Sequence, residues 1–403
     1  MRITFLLTQS LDSPSGLGRY WPLAKELVKL GHSIVILALH PNFAGLGERA
    51  FCQEGVSVRY VGQMHVRKQG SRKSYFGPLR LLVTTLWSTL CLMWAALAMP
   101  TDIYHLGKPH PMNGVAGLIA SRVKRKPLYL DCDDYEAASN RFSGRWQQRI
   151  VAFFEDRLPR YAKGVTVNTT FMAERVAGLG YPAERIRYVS NGVDRGRFAE
   201  AGLSPSRATA PAAVAEGRGD DGNTVVYVGS VSYTSHAVDL LVQAFAELLR
   251  SVPGARLILV GGGENLEDLR HLVDDLGVGD SVELVGRVEQ DRVCDYYRLA
   301  DLTVDPVRDD LASKARCPLK LFESWAVGVP CVTGDVGDRR ALMGYPMAGR
   351  LAVAGDAASL AQEMLALITD PTERRSARLA CRQRVEGHYW DQLIREFTEV
   401  YRV

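Results

Sequence analysis

Between residues 223 and 334 the chain repeats one pattern: a short β-branched run, a glycine, then an amphipathic helical stretch. NTVVYVGS leads into VDLLVQAFAELL, and ARLILVGGGE, SVELVGRV, DLTVDP and CPLKLFESWAVGVPCVTGD follow. Runs of period two alternating with runs of period 3.6 predict an α/β fold, a parallel sheet wrapped by crossover helices. In such sheets ligands meet the carboxyl ends of the strands. The glycines after the strands, Gly229, Gly261, Gly263 and Gly286, therefore mark the mouth of a candidate site.

The first half opens in the same way. Strand ITFLLT, loop QSLDSPSGLGR, helix YWPLAKELVKLGH and strand SIVILAL make a βαβ unit. Ser15, Gly16 and Gly18 stand at its helix start, where free backbone N–H groups favour an anion such as a phosphate. A dinucleotide fingerprint would add a third glycine and an acid at the end of the next strand. Tyr20 and Trp21 follow instead, and the strand ends in Leu39 and His40, which argues against an oxidoreductase. Further strands are expected at VSVRYVG, DIYHL, LYLDC and GVTVN, with IRYVSNGVD closing the half. The aperiodic, Ala-, Pro- and Gly-rich segment 199–222 reads as a linker and hinge. This gives a first domain over 1–198 and a second over 223–381. A terminal helix over 382–403 carries Tyr389, Trp390, Phe397 and Tyr401 at its start and along it, and it is expected to pack back on the first domain.

Length and charge agree with this division. The 403 residues exceed one ordinary core. The 49 basic and 45 acidic residues nearly balance, which excludes a dedicated nucleic-acid binder. The seven cysteines are scattered without a CxxC pair, so neither a disulfide framework nor a zinc site is expected and a reducing cytoplasm is the simplest location. The opening MRITFLLTQS reads as a buried strand rather than a secretory signal.

Residues 81–99, LLVTTLWSTLCLMWAALAM, carry no charge over a length that can span a bilayer. They fall where the first domain needs a crossover helix, so an apolar-faced crossover is expected. The preceding segment carries Arg67, Lys68, Arg72, Lys73 and Arg80 among Tyr75 and Phe76, which suits an anionic membrane surface. Peripheral attachment to the inner face of the plasma membrane, with a lipid-linked acceptor, follows. A packed core helix beside a solvated basic loop is the alternative.

Polar residues gather after the strands of both halves. In the first, His105, Lys108 and His110 follow one strand, and Asp131, Asp133, Asp134 and Glu136 follow another. Lys108 or His110 is expected to orient acceptor or donor phosphate, and Asp133 or Asp134 to bind acceptor hydroxyls. Acidic loops of this kind more often cap helices than hold magnesium, and no metal is expected. In the second half Glu323 sits at an expected helix start, where its carboxylate can accept from two vicinal ribose hydroxyls. An acid stabilised by the helix dipole is the bland alternative. Lys320 can meet a phosphate, and the loops Gly229-Ser230 and Gly334-Asp335-Val336-Gly337 offer amides to a diphosphate.

In this order, SGLGRYWPLAKELVKLGH, VSNGVDRGRF, YVGS, LILVGGGE, VELVGRV, YYRLADLTVDP, PLKLFESWAVGVPCV and HYWDQLIREFTEVY resemble the retaining glycosyltransferases of the GT-B fold, family 4, with its group 1 second domain. The resemblance implies two Rossmann-like domains whose parallel sheets face a central cleft. It implies transfer of a sugar, with retention and without a metal or cofactor, from a UDP- or GDP-sugar to a glycan or lipid-linked acceptor of cell-envelope polysaccharide synthesis. The family's ribose-binding glutamate falls on Glu323. Gly16, Gly18, Gly229, Ser230, His236, Gly261, Gly263, Arg287, Val288 and Leu321 join it on the donor side, Lys108, His110 and Lys320 are the further catalytic candidates, and His105, Asp133, Asp134 and Glu136 line the acceptor side.

The chain departs from the family at three places. The first of the family's two glutamates is Ala315 here, the paired arginine and lysine near the diphosphate are Ser230 and His236, and the acceptor-side histidine falls close to Gly107, with His105 and His110 flanking it. Lys314, Arg316, Lys320 and Arg339 are the cations that could substitute. A non-catalytic sugar-nucleotide or glycan binder and a sugar-nucleotide epimerase are the alternative readings.

Overall fold

A computed structural model describes residues 1–13, 15–69, 72–140, 142, 144–198 and 223–403. The expected linker, 199–222, lies outside the described residues. The chain divides into two units: Met1–Gly192 with Ala315–Cys317 and Trp390–Val403, and Val193–Lys314 with Pro318–Tyr389.

The first unit is built on strands β1 (Arg2–Leu7), β2 (Ser33–His40), β3 (Ala50–Gln53), β4 (Val56–Gln63), a separate hairpin β5 (Val66–Gln69) and β6 (Arg72–Tyr75), then β7 (Ile103–Gly107), β8 (Leu128–Cys132), β9 (Gly164–Val167) and β10 (Ile186–Tyr188). Its main sheet runs β10-β9-β8-β7-β1-β2-β4-β3 and is parallel except at the β3–β4 pair. A parallel sheet is covered on both faces, so its central strands read as continuous apolar runs. RITFLL obeys this rule: Phe5 and Leu7 enter one apolar cluster and Leu6 the opposite one.

The expected crossover helix is present as Pro78–Ala98, between β6 and β7. The Ser88 hydroxyl donates to the Gln63 carbonyl and the Tyr104 hydroxyl to the Ala96 carbonyl, which ties the helix to the sheet. The C-terminal region differs from the expected 382–403 helix. Pro371–Val385 forms a helix of the second unit, placing Ala377, Ala380 and Cys381 inward, and only Trp390–Val403 belongs to the first. The break falls there because Trp390, Leu393, Ile394 and Phe397 form one apolar stripe that completes the first unit's cluster around Phe5, whereas the segment before it is dominated by arginine.

The second unit carries β11 (Thr224–Val228), β12 (Arg256–Val260), β13 (Val282–Gly286), β14 (Leu302–Asp305), β15 (Cys331–Gly334) and β16 (Gly349–Ala352). They form a fully parallel sheet in the order β13-β12-β11-β14-β15-β16. The order turns outward on both sides of β11, and at such switch points the strand ends leave room for a ligand.

Candidate functional site

In the second unit the glycines after β11 and β12 serve backbone against backbone. The Gly229 amide donates to Val260 O at 2.9 Å and the Val231 amide to Gly262 O at 3.2 Å. A Cβ on Gly261 would stand 1.7 Å from Gly229 O, and one on Gly263 would stand 2.0 Å from Val231 O. Their lack of a side chain thus lets two strand-end loops touch, a tighter requirement than the approach to a ligand for which they were singled out. Gly286 is different, with φ at +78° and open space around it, so its role is the left-handed turn itself.

Lys320 reaches this floor from the helix Leu319–Ala326. Its ammonium lies 2.9 Å from Asp305 Oδ1, 4.6 Å above the Tyr227 ring and 3.5 Å from where a Gly229 Cβ would be. Burial pushes the Asp305 carboxyl up, but Lys320 and Arg339 together hold it well below the usual carboxylate range. Arg339 cannot replace the missing phosphate cations. It is fully buried, its Nε and Nη2 donate to Asp305 Oδ2 at 3.1 and 3.0 Å, and its Nη1 donates to Ser313 O and Val336 O. Lys314 pairs with Asp309 at 2.9 Å. Ser230 is exposed, its carbonyl accepting from the Tyr227 hydroxyl, and His236 ends the short helix Tyr233–His236.

Glu323 is the fifth residue of its helix rather than a helix-start acid, so the dipole alternative loses its geometry. The Tyr297 hydroxyl donates to Oε2 at 2.9 Å, while Oε1 receives no hydrogen bond from the described residues. Burial raises the Glu323 pKa, and Arg197, Tyr297 and Lys320 oppose it. One carboxylate oxygen is therefore anchored and the other is open. Arg197 and Tyr297, which flank it, escaped the sequence reading, since nothing in their spacing links them to residue 323. Asp305 had a signal, an acid closing a strand. Arg287 is exposed just after β13, and Val288 packs on the cluster around Val226 and Ile258. The Leu321 side chain is fully buried.

In the first unit the polar residues after β7 and β8 do come together. Lys108 adopts φ +75°, unfavourable for a non-glycine residue, and the Asn113 amide fixes that bend by donating to the Leu6, Gly107 and Lys108 carbonyls. The Lys108 ammonium lies 2.5 Å from Glu136 Oε1, 3.5 Å from Asp133 Oδ1 and 3.8 Å from Asp134 Oδ2. Burial works against the lysine's charge, but these carboxylates hold its pKa well above the ordinary value. Asn140 donates to Glu136 Oε2, and Ser139 to Asp134 Oδ1. Burial, only partly offset by Lys108, pushes the Asp133 carboxyl up to about 7. Glu155, absent from the candidates, accepts from the Glu136 and Ala137 amides, and burial pushes it up to about 8. His110 stacks on His65 at 5.7 Å, and burial beside His65 and Lys108 lowers it to about 3. At neutral pH the cluster offers a neutral imidazole, a buried ammonium and a carboxyl poised near neutrality.

Two expectations need correction. His105 is not an acceptor ligand: it is fully buried between Phe5 and Phe397, its Nδ1 2.9 Å from the Tyr401 hydroxyl, and burial lowers it to about 4. It lies on β7, and its strand position points it into the core. Gly16 does not present a bare amide to an anion. The Gly16 and Leu17 amides already donate to Ser13 Oγ and Ser13 O, a Cβ on Gly16 would meet Ser10 O at 2.5 Å, and Gly18 O accepts from Trp390 Nε1. The neighbouring Arg19 was overlooked, and it is fully buried with both Nε and Nη2 2.7 Å from Asp131. Ala315, already read as lacking the family's carboxylate, is buried in the first unit's apolar cluster, where an ionised glutamate would be costly.

Comparison with known proteins matches both halves. Residues 15–192 match the family described as Glycosyl transferase 4-like domain, and residues 222–370 match Glycosyl transferases group 1. The chain is 29% identical over 245 residues to a GDP-mannose-dependent alpha-(1-6)-phosphatidylinositol monomannoside mannosyltransferase of Mycobacterium tuberculosis, covering 59% of this chain and 61% of that protein. It is 29% identical over 329 residues to D-inositol 3-phosphate glycosyltransferase 1 of Catenulispora acidiphila, covering 76% and 73%. The alignment with the mannosyltransferase thus spans about three fifths of that relative's length. In fold the chain is similar to sucrose-phosphate synthase from Thermosynechococcus elongatus, with a TM-score of 0.77 at 17% identity over 100% of this chain and 98% of that one. It is also similar to Anabaena HepE in complex with UDP, with a TM-score of 0.70 at 18% identity over 100% of both chains.

Proposed function

Since the chain belongs to the GT-B glycosyltransferases, matching family 4 in its first half and group 1 in its second, we propose that it transfers a sugar from a nucleotide-diphosphate sugar to a glycan or lipid-linked acceptor. Glu323 carries the reading. A carboxylate anchored through one oxygen by Tyr297, with the other open, is suited to accept from the vicinal hydroxyls of a ribose. Lys320, above the Gly229 turn, meets the diphosphate and matches the charge that grows on the leaving group. Asp305 holds that ammonium in place. In the first unit Lys108 or His110 orients acceptor or donor phosphate, and Asp133 or Asp134 accepts from acceptor hydroxyls. Transfer proceeds with retention and without a metal. UDP and GDP are the expected bases: one similar structure holds UDP and one relative is named as GDP-mannose-dependent. A lipid-linked intermediate of the cell envelope, met at the cytoplasmic face, suits relatives that act on phosphatidylinositol mannoside.

A thermal-shift and calorimetric panel of UDP, GDP, ADP and their sugar conjugates tests the donor. One nucleotide should stabilise the wild type by mass action, and Glu323→Ala should lower its affinity by roughly tenfold or more. No stabilisation by any of them sinks the nucleotide-sugar donor. A second reading, a sugar-nucleotide binder without turnover, is favoured by Ala315, Ser230 and His236 standing where the family has a carboxylate and two cations. Donor binding with neither hydrolysis nor transfer would select it.

A further inference from the structure

Three helices of the first unit, Pro78–Ala98, Pro111–Lys124 and Arg145–Arg157, lie side by side over one face of its sheet. The first buries only Ser88, Leu92 and Ala96. On its outer side Leu79, Val83, Leu86, Trp87, Leu90 and Trp94 recur at helical spacing, with Leu79 76%, Trp87 66% and Trp94 65% exposed. Such a stripe ordinarily faces a core. The neighbouring helices also expose apolar side chains, Val123 on the second and Trp146, Ile150 and Phe153 on the third. Of the chain's six tryptophans, the exposed ones are Trp87, Trp94 and Trp146, all on these helices.

The rim of the face is cationic. Arg122, Lys124, Arg125 and Lys126 close the second helix without an acid among residues 111–126. Along the third, Arg145, Arg149 and Arg157 meet two acids, of which Glu155 is buried and Asp156 is paired with Arg175 at 2.6 Å. Guanidiniums of Arg80, Arg122 and Arg157 lie over the rings of Phe76, Tyr161 and Phe153. Apolar centre, aromatic belt and basic rim together match the depth profile of an anionic bilayer surface. The hydrogen bonds from Ser88 and Tyr104 hold the long helix flat on the sheet, which opposes its crossing the bilayer. A second copy is disfavoured as the occupant, because pairing two such faces would oppose two cationic rims.

We propose that this three-helix face seats the first unit on an anionic membrane, with Pro78–Ala98 lying in the plane of the interface. The proposal does not rest on the transferase reading, and vesicle binding by a chain that takes no nucleotide would leave it standing.

The test is cosedimentation of the full chain with phosphatidylcholine vesicles, with and without phosphatidylglycerol, for the wild type, a Trp87→Glu/Trp94→Glu variant and a Val123→Glu/Phe153→Glu variant. Circular dichroism melts check that each variant folds, and exposed positions leave no cavity. The expected result is binding that needs phosphatidylglycerol, weakens with salt and falls roughly tenfold or more in both variants. Wild-type partition by the Val123/Phe153 variant would reduce the face to one helix and overturn the proposal. Equal binding to neutral vesicles would overturn the anionic partner. Absence of vesicle binding, with a dimer in light scattering that the Trp87/Trp94 variant dissociates, would identify a second copy instead.

Discussion

At the scale of the residue, burial decides which ionisable groups are available for chemistry. His105 and His110 are five positions apart, yet His105 stacks in the core beneath Phe397 while His110 joins His65 beside Lys108. Arg339 and Lys320 share Asp305, but only Lys320 also borders the Gly229 turn. Asp133 offers a direct check. Its folded pKa, pushed up to about 7, lies above the unfolded value, so the folded state holds a proton that the unfolded state releases. That difference costs stability progressively as pH rises from the unfolded value through about 7. Asp133→Asn should therefore gain on the wild type by roughly 1–3 kcal/mol at pH 8 and lose that gain below about pH 4, in urea melts at both pH values. An equal shift at both would show that the carboxylate is not buried as described. The carboxylates around residue 133 were legible in the sequence because they follow a strand. Their shared contact with Lys108 was not, since it depends on a left-handed bend held by Asn113.

At the scale of the element, the glycine turns divide into two kinds that look alike in the sequence. Gly261 is needed for contact between the loops after β11 and β12, and Gly286 only for a turn in open space. Gly261→Ala should cost about 2–3 kcal/mol or more in chemical denaturation and abolish any nucleotide-induced stabilisation, because it drives the Gly229 carbonyl away. Gly286→Ala should cost about 1 kcal/mol and leave nucleotide binding intact. Equal losses at the two positions would contradict the loop contact. The helix Pro78–Ala98 teaches the same lesson in another form. Its apolar length announced a helix, its place between strands announced a crossover, and its exposed outer stripe emerged only when the sheet defined an inner side.

At the scale of the whole molecule, the chain closes on itself. Val193–Lys314 and Pro318–Tyr389 form a unit of their own, after which Trp390–Val403 returns to complete the core begun by β1. Trp390→Ala should destabilise the first unit by about 3–5 kcal/mol, read as earlier hydrogen exchange of β1 and β7, while the amides of β11 and β12 keep their protection. Loss of protection in both sheets together would show the units to be one cooperative block. By itself the sequence determined the α/β alternation, the two halves and the family, because strand and helix periods and glycine punctuation are local and survive without a partner. Tertiary structure alone decided that Arg19 and Asp131 are an internal brace, that Arg339 is sealed, that Ala315 lies in an apolar cluster, and that three separate helices share one apolar, basic-rimmed face. Burial and charge pairing arise between residues far apart in the chain, and no local pattern encodes them.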